Sequence, residues 1–284
     1  MRNPLSIKQL KKPNTVLMFP YLIWILLFVV APLALLIYQS LLNLNGDFTF
    51  ENIIMYFTST TYLSMTLQSF LYAGLITLVT LIISYPAAYI LTQTEHKELW
   101  RMLLILPTWI NILLKAYAFI GILSQSGVVN NFLEMIGIGR QQILFTNFSF
   151  LLVATYIELP FMIMPIMNAI DDIDRSLTKA SHDLGANTWE TLKHVIFPLS
   201  MNGVRSGIQA VFIPSLSLFM LTRLIGGNRV ITLGTAIEQH FLVTQNWGMG
   251  STIGIVLIVL MFIVMKLTAG RNNLKKARRG VGNE

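Results

Sequence analysis

The chain has 284 residues, 54% of them hydrophobic and only 12% charged, with a formal net charge of +7 and no cysteine. Soluble domains carry about 25% charged residues, and here the scarcity is clustered: no Asp, Glu, Lys or Arg occurs in Pro13–Gly46, Asn52–Thr94 or Gln239–Met265. Each run exceeds the ~18–20 apolar residues that span a bilayer, which excludes a soluble enzyme, a disordered chain and a secreted disulfide scaffold, while the missing cysteine excludes thiol chemistry.

The fold class expected is all-α, a polytopic membrane protein with six spans at 15–42, 62–91, 102–124, 148–170, 206–224 and 248–268. The first run is too long for a signal h-region and lacks a small-residue cleavage site, so it reads as a retained helix. The third span carries Lys115, the fourth Glu158, and the short fifth has Pro214 near its middle. Pro20, Pro32, Pro86, Pro107, Pro160, Pro165 and Pro214 fall inside or at the edges of spans. Each removes a backbone donor and bends its helix, which a membrane tolerates where neighbouring groups satisfy the freed carbonyls. That pattern predicts a packed bundle with moving parts.

With the N-terminus in the cytoplasm, the inside segments hold sixteen of the twenty basic residues. They are Arg2, Lys8, Lys11 and Lys12; Lys97 and Arg101; Arg175, Lys179, Lys193 and Arg205; and Lys266, Arg271, Lys275, Lys276, Arg278 and Arg279. Arg140, Arg223 and Arg229 lie outside, and Lys115 within the membrane. This is the positive-inside asymmetry, and it predicts that both termini are cytoplasmic. It also accounts for the +7 charge without a nucleic-acid partner.

The inside segment 171–205 is long, charged and patterned as two short helices. Ile173, Leu177, Ala180 and Leu184 form one apolar stripe, with Asp171, Asp172 and Asp174 at its start, where the helix dipole favours acid, and Gly185 as the stop. Asn187 and Glu190 have the spacing of a capping box for a second helix, which carries Trp189, Leu192 and Ile196 and ends at Pro198. The patterning fits equally an amphipathic hairpin on the membrane surface and a docking surface for a cytosolic partner.

The stretch KASHDLGANTWETLKHVIFPL, Lys179 to Leu199, resembles the signature cytoplasmic loop of ABC-importer permeases. That pattern reads Glu-Ala-Ala, three residues, Gly, nine residues, Ile, one residue, Leu-Pro. Ala180, Gly185 and Pro198 match at the proper spacing, as does Asp183 in the Arg-Asp-Leu-Gly variant. Lys179 replaces the signature Glu, Ser181 the second Ala, Val195 the Ile and Phe197 the Leu, while His182 stands at the usual Arg. SYPAAYIL from Ser84, LILPTWINILLKAYAFIGIL from Leu104, ELPFMIMPIMNAI from Glu158 and NWGMGS from Asn246 are similar to successive signatures of spermidine/putrescine-type permeases of the binding-protein-dependent type I family. In LKAYAF, Lys115 stands where that family usually has Arg and Phe119 where it usually has Trp.

The resemblance implies that the loop supplies the coupling helices that enter a cleft on a separate ATPase, with Lys179, Ala180, Ser181, Asp183, Gly185 and Pro198 at that contact. It implies a second homologous permease, two ATPase subunits and an extracytoplasmic polyamine-binding protein as partners, in a bacterial cell membrane. The chain itself lacks a G-x-x-x-x-G-K-[S/T] phosphate loop, so it is expected to bind no cofactor and to be no enzyme; ATP and magnesium belong to the partner ATPase. His96, His182, His194 and His240 show no metal-ligand spacing. The expected division is 1–61 for the N-terminus, first span and first outside loop, 62–268 for the transport domain, and 269–284 for a basic tail.

Glu158 lies halfway along the fourth span, where an ionised carboxylate is costly and must face the bundle or a cavity. It suits the ammonium group of a polyamine, with Trp109, Tyr117 and Tyr156 as cation–π partners worth ~0.5–2 kcal/mol each. An internal ion pair with Lys115 explains it equally well. Within the class, another small solute such as iron or thiamine is the alternative cargo. Outside it stands a secondary transporter, which would need no cytoplasmic docking loop and often carries paired discontinuous helices.

Overall fold

The computed structural model describes residues 15–227 and 229–268. The basic residues Arg2, Lys8, Lys11 and Lys12 and the expected tail 269–284 lie outside the described residues.

The first span is a rod in which α1 (Thr15–Ile25) continues through a π-helical turn (Leu26–Val30) into α2 (Ala31–Ser40). Of the apolar span Met18–Ser40, only Ser40 at its end is buried within the chain. α3 (Glu51–Thr58) then leads into α4 (Thr60–Gln93), the second span, which keeps Pro86 without breaking.

The third expected span, 102–124, is not one helix. α5 (Lys97–Ile105) passes into a 3-10 turn (Leu106–Trp109), the chain extends at Ile110 and Asn111, and α6 (Ile112–Leu123) starts anew. Pro107 removes a helical donor, and the Asn111 Oδ1 accepts the Leu113 N–H at 2.8 Å, so the break is capped rather than frayed. α7 (Val128–Met135) lies in the expected outside loop.

α8 (Asn147–Asp171) opens on a capping box between Thr146 and Ser149 and runs through Pro160 and Pro165. The loop expected on the cytoplasmic side follows as α9 (Arg175–Asp183) and α10 (Thr188–Thr191), and a π turn (Leu192–Ile196) joins it to α11 (Phe197–Ser215). Pro198 therefore does not end the second loop helix, as its sequence position suggests. The Phe197 N–H bonds back five residues to the Leu192 carbonyl, and a wider turn accommodates the proline that follows.

The fifth expected span, 206–224, is also revised. α11 begins nine residues earlier and stops just after Pro214, and α12 (Phe219–Leu224) is separate. Leu218 leaves helical geometry, with ψ of +72°, between them. α13 (Leu233–Glu238), a π turn (Gln239–Val243) and α14 (Trp247–Thr268) complete the chain. Five helical segments among the described residues are long and apolar enough to cross a membrane; the small and polar residues of α11 keep it out of that set.

α4, α8 and α11 form the centre, with Ile76, Phe150, Val153, Met162, Ile166, Met167 and Val211 fully buried among them. Lipid tails are as apolar as leucine, so close approach has to hold such helices together. Gly203 and Gly207, four residues apart on α11, allow it. A Cβ at Gly203 would strike the Pro165 carbonyl and the Ala169 side chain, and one at Gly207 would lie 2.6 Å from the Met162 sulfur. A second cluster, with Tyr56, Leu233, Met249 and Ile253, ties α3, α13 and α14 to the opposite end of α4.

Candidate functional site

Glu158 is 4% exposed on α8. Among the described residues no hydrogen bond and no ion pair within 4 Å reaches it, from Lys115 or any other group. The helical period places it on the same stripe of α8 as Met162, which packs on Gly207. Thr155, one turn further out, is also buried, and its hydroxyl has no partner. Elsewhere buried threonines turn back onto their own helix: Thr77, Thr80 and Thr252 donate to the carbonyls of Ala73, Ile76 and Gly248 at 2.7, 2.6 and 3.0 Å. Unpaired acceptors on one stripe at mid-span are what a desolvated cation requires.

The aromatic candidates separate. Tyr156 meets Phe119 of α6 edge-on, with ring centroids 5.1 Å apart, which brings the Lys115 helix against α8. Trp109 projects from the break between α5 and α6, 81% exposed, and Tyr117 is also exposed. The structure does not gather Trp109, Tyr117 and Tyr156 around Glu158 within this chain alone.

The α9–α10 loop is built from caps. The Asp174 carboxylate accepts the Ser176 N–H at 2.9 Å, which caps α9 and holds that carboxyl below its ordinary pKa. Gly185 ends α9 at φ +87°, with its N–H on the His182 carbonyl and the Ala186 N–H on the Ser181 carbonyl. This is a Schellman closure, which glycine adopts at no steric cost. Asn187 and Glu190 exchange hydrogen bonds of 2.9 Å in the expected capping box, and Ser181 bonds Thr191 at 2.9 Å to hold the two helices together. Leu177, Leu184 and Trp189 are left exposed, as are Lys179, Ala180, Asp183 and Pro198.

Asp171 corrects the sequence reading: it is the last residue of α8 and does not open α9. It accepts Lys97 at 3.0 Å on one oxygen and Arg101 on the other, and Arg101 also holds Glu98 at 2.9 Å. α5, which leads to the break and to Lys115, is thereby tied to the root of the α9–α10 loop. Sequence reasoning passed over this cluster, although Lys97 and Arg101 at i, i+4 offered the signal. It also passed over the Gly-x-x-x-Gly of Gly203 and Gly207, whose spacing was in plain view.

Two cavities flank these elements. One of about 560 Å³ lies between α9 and the ends of α4 and α8. The other, about 320 Å³, lies at the opposite end beside the Arg223–Glu238 pair, 2.8 Å apart. Among the described residues no three His, Asp or Glu side chains are grouped as a metal would need.

A bent helical bundle with a capped, exposed loop at one end is the architecture of an ABC-transporter permease. The chain is 33% identical over 261 residues to the spermidine/putrescine transport system permease protein PotB of Haemophilus influenzae, covering 88% of this chain and 91% of that protein. Its fold matches that of a bacterial ABC transporter importing the acidic polysaccharide alginate, with a TM-score of 0.76 at 20% identity over 93% and 94% of the two chains. The alginate transporter in complex with its pentasaccharide-bound periplasmic protein gives 0.74 at 19% identity, over 89% and 91%. No family model matches. The chain belongs to the family of ABC-transporter permeases that includes the spermidine/putrescine permeases, and it is a multi-pass membrane protein.

Proposed function

We propose that this chain is one permease of an ATP-driven polyamine importer and forms half of the pathway for spermidine or putrescine. Glu158 carries the reading. A carboxylate buried at mid-span with no ion pair within 4 Å among the described residues is an acceptor for a desolvated ammonium group, and the kinship with spermidine/putrescine permeases agrees with a cationic cargo. In this reading residues 62–268 are the transport domain, both termini are cytoplasmic, and a homologous permease completes the pathway. Two ATPase subunits, holding ATP and magnesium, drive α9 and α10 through Ala180, Ser181, Asp183 and Gly185. A periplasmic binding protein, of the kind present in the alginate complex, delivers the cargo. Trp109, Tyr117 and Tyr156 line the path and contribute once the second permease faces them, and Lys115 competes with cargo for Glu158 as the bundle rocks.

The test is ATP-dependent uptake of labelled spermidine and putrescine into vesicles holding the complete assembly. Glu158→Gln is expected to lower uptake at least tenfold while the subunits still co-purify. Uptake at the wild-type rate in that variant would remove Glu158 from the pathway, and failure of the wild-type assembly to take up either polyamine would remove the cargo assignment.

A further inference from the structure

We propose that the 560 Å³ cytoplasmic cavity beneath α9 holds the phosphate headgroup of an anionic phospholipid, with Lys179 and Arg175 as its cationic ligands. The inference rests on reading α9 as the cytoplasmic coupling helix. The cavity wall is graded. Tyr89, Ile170, Ile173 and Ile196 line it with apolar surface, while Arg175, Lys179 and His182 line it from α9. Their spacing of i, i+4 and i+7 puts these three on a single helical stripe.

The charges favour an anion. Of the two lining carboxylates, Asp171 is already engaged by Lys97 and Arg101, which leaves Glu95. Against it stand Arg175 and Lys179, neither of which has an ion pair among the described residues. The position favours a lipid over a free ion. α4 ends at Gln93 and α8 at Asp171, so the cavity opens at the level where spans meet headgroups, and cytoplasmic basic pockets between transmembrane helices take such groups. Inorganic phosphate would leave the apolar part of the wall without a partner; a glycerol backbone and the first methylenes of an acyl chain would fill it.

The arrangement also gives Lys179 a reason to differ from the signature glutamate. A carboxylate there would repel the phosphate, whereas the face of α9 that exposes Leu177 and Leu184 remains available to the ATPase. Lipid and ATPase would hold the coupling helix from different sides.

The experiment compares the complete assembly, wild type and with Lys179→Gln or Arg175→Gln, in nanodiscs of phosphatidylcholine containing phosphatidylglycerol, with retained lipid read by native mass spectrometry after detergent washing. Wild type is expected to retain phosphatidylglycerol in preference to phosphatidylcholine, and each variant to lose about fivefold of that preference, with the ATPase still bound. Equal retention by wild type and Lys179→Gln would overturn the site. So would loss of the ATPase from Lys179→Gln with lipid retention unchanged, since Lys179 would then be an ATPase contact. Displacement of the lipid by millimolar inorganic phosphate would assign the cavity to the free anion instead. None of these readouts depends on which solute is carried, so they stand apart from the polyamine assignment.

Discussion

The α8–α11 seam and the α9–α10 hairpin sit next to each other in the chain, yet different forces hold them. At the seam two helices approach until a Cβ at Gly203 would strike the Pro165 carbonyl and one at Gly207 the Met162 side chain, and no ion pair takes part among the described residues. The hairpin makes almost no apolar contact. Its shape comes from the Asp174 cap, the Schellman closure at Gly185, the Asn187–Glu190 box and the bond between Ser181 and Thr191. The seam is therefore sensitive to volume and indifferent to charge, whereas the hairpin is sensitive to backbone geometry and charge and has open space around it. On the proposed coupling the two serve different ends: an interface that cannot slip, and an attachment that moves as a unit when pushed.

Enlarging the seam should produce the largest effect. Gly203→Leu is expected to abolish the folded, assembled protein, because overpacking against backbone costs about 3 kcal/mol or more, visible as lost monodispersity on detergent chromatography. Gly207→Ala should be milder, since the Met162 side chain can shift. If both variants ran as wild type, the glycines would not set the seam.

Cutting the tie between the two regions comes next. Asp171→Asn leaves Lys97 and Arg101 without their shared carboxylate, at a cost of about 1–2 kcal/mol for a pair that is only partly buried. The expected signature is functional: ATP hydrolysis by the assembly continues while polyamine uptake per ATP falls several-fold. A proportional fall in both would mean that the cluster only stabilises the fold.

Gly185→Ala tests the hairpin's backbone. Nothing lies within 4 Å of the new methyl group, but φ of +87° costs a non-glycine residue about 1–2 kcal/mol. Uptake should fall a few-fold with membrane insertion unchanged, and Gly185→Val should fall further. Wild-type uptake in both would contradict the coupling assignment.

The smallest expected effect concerns pH, away from both regions. His240 is half-buried, bonded to the Tyr62 hydroxyl at 3.0 Å, and burial lowers its pKa below the ordinary 6.5. The unfolded chain then binds more protons as pH drops below that value, so folding stability declines with acidification and is full above it. Melting temperature should slip by a few degrees between pH 7.5 and 5.5, and His240→Gln should flatten the slope.

The sequence disclosed most of the hairpin, because caps and left-handed glycines are local and leave their residues in order: Asp174, Gly185, Asn187 and Glu190 all act within four positions. The uncharged spans were legible for the same reason. The breaks at Ile110–Asn111 and Leu218 were not, since Pro86, Pro160 and Pro165 show that a membrane helix can run on through a proline. Which outcome occurs depends on neighbours far away in the chain. That Glu158 and Lys115 stop short of an ion pair was equally illegible: similar depth on two spans does not set the distance between the side chains. Lys97 and Arg101 stand one turn apart and so share a face, but the Asp171 they share is about seventy positions away and no local pattern points to it.

The π turn at Leu192–Ile196 has a mechanical consequence. An α-helix advances about 100° per residue, and a π turn accommodates one residue more than that register allows. α10 and α11 form one continuous rod, yet Trp189 points about 100° away from where an uninterrupted helix would aim it relative to Gly203. The chain thus fixes the azimuth of its drive shaft by a single surplus residue. Deleting one residue from 192–196 would restore the α-helical register, leave the seam intact and turn the loop by about 100° relative to it.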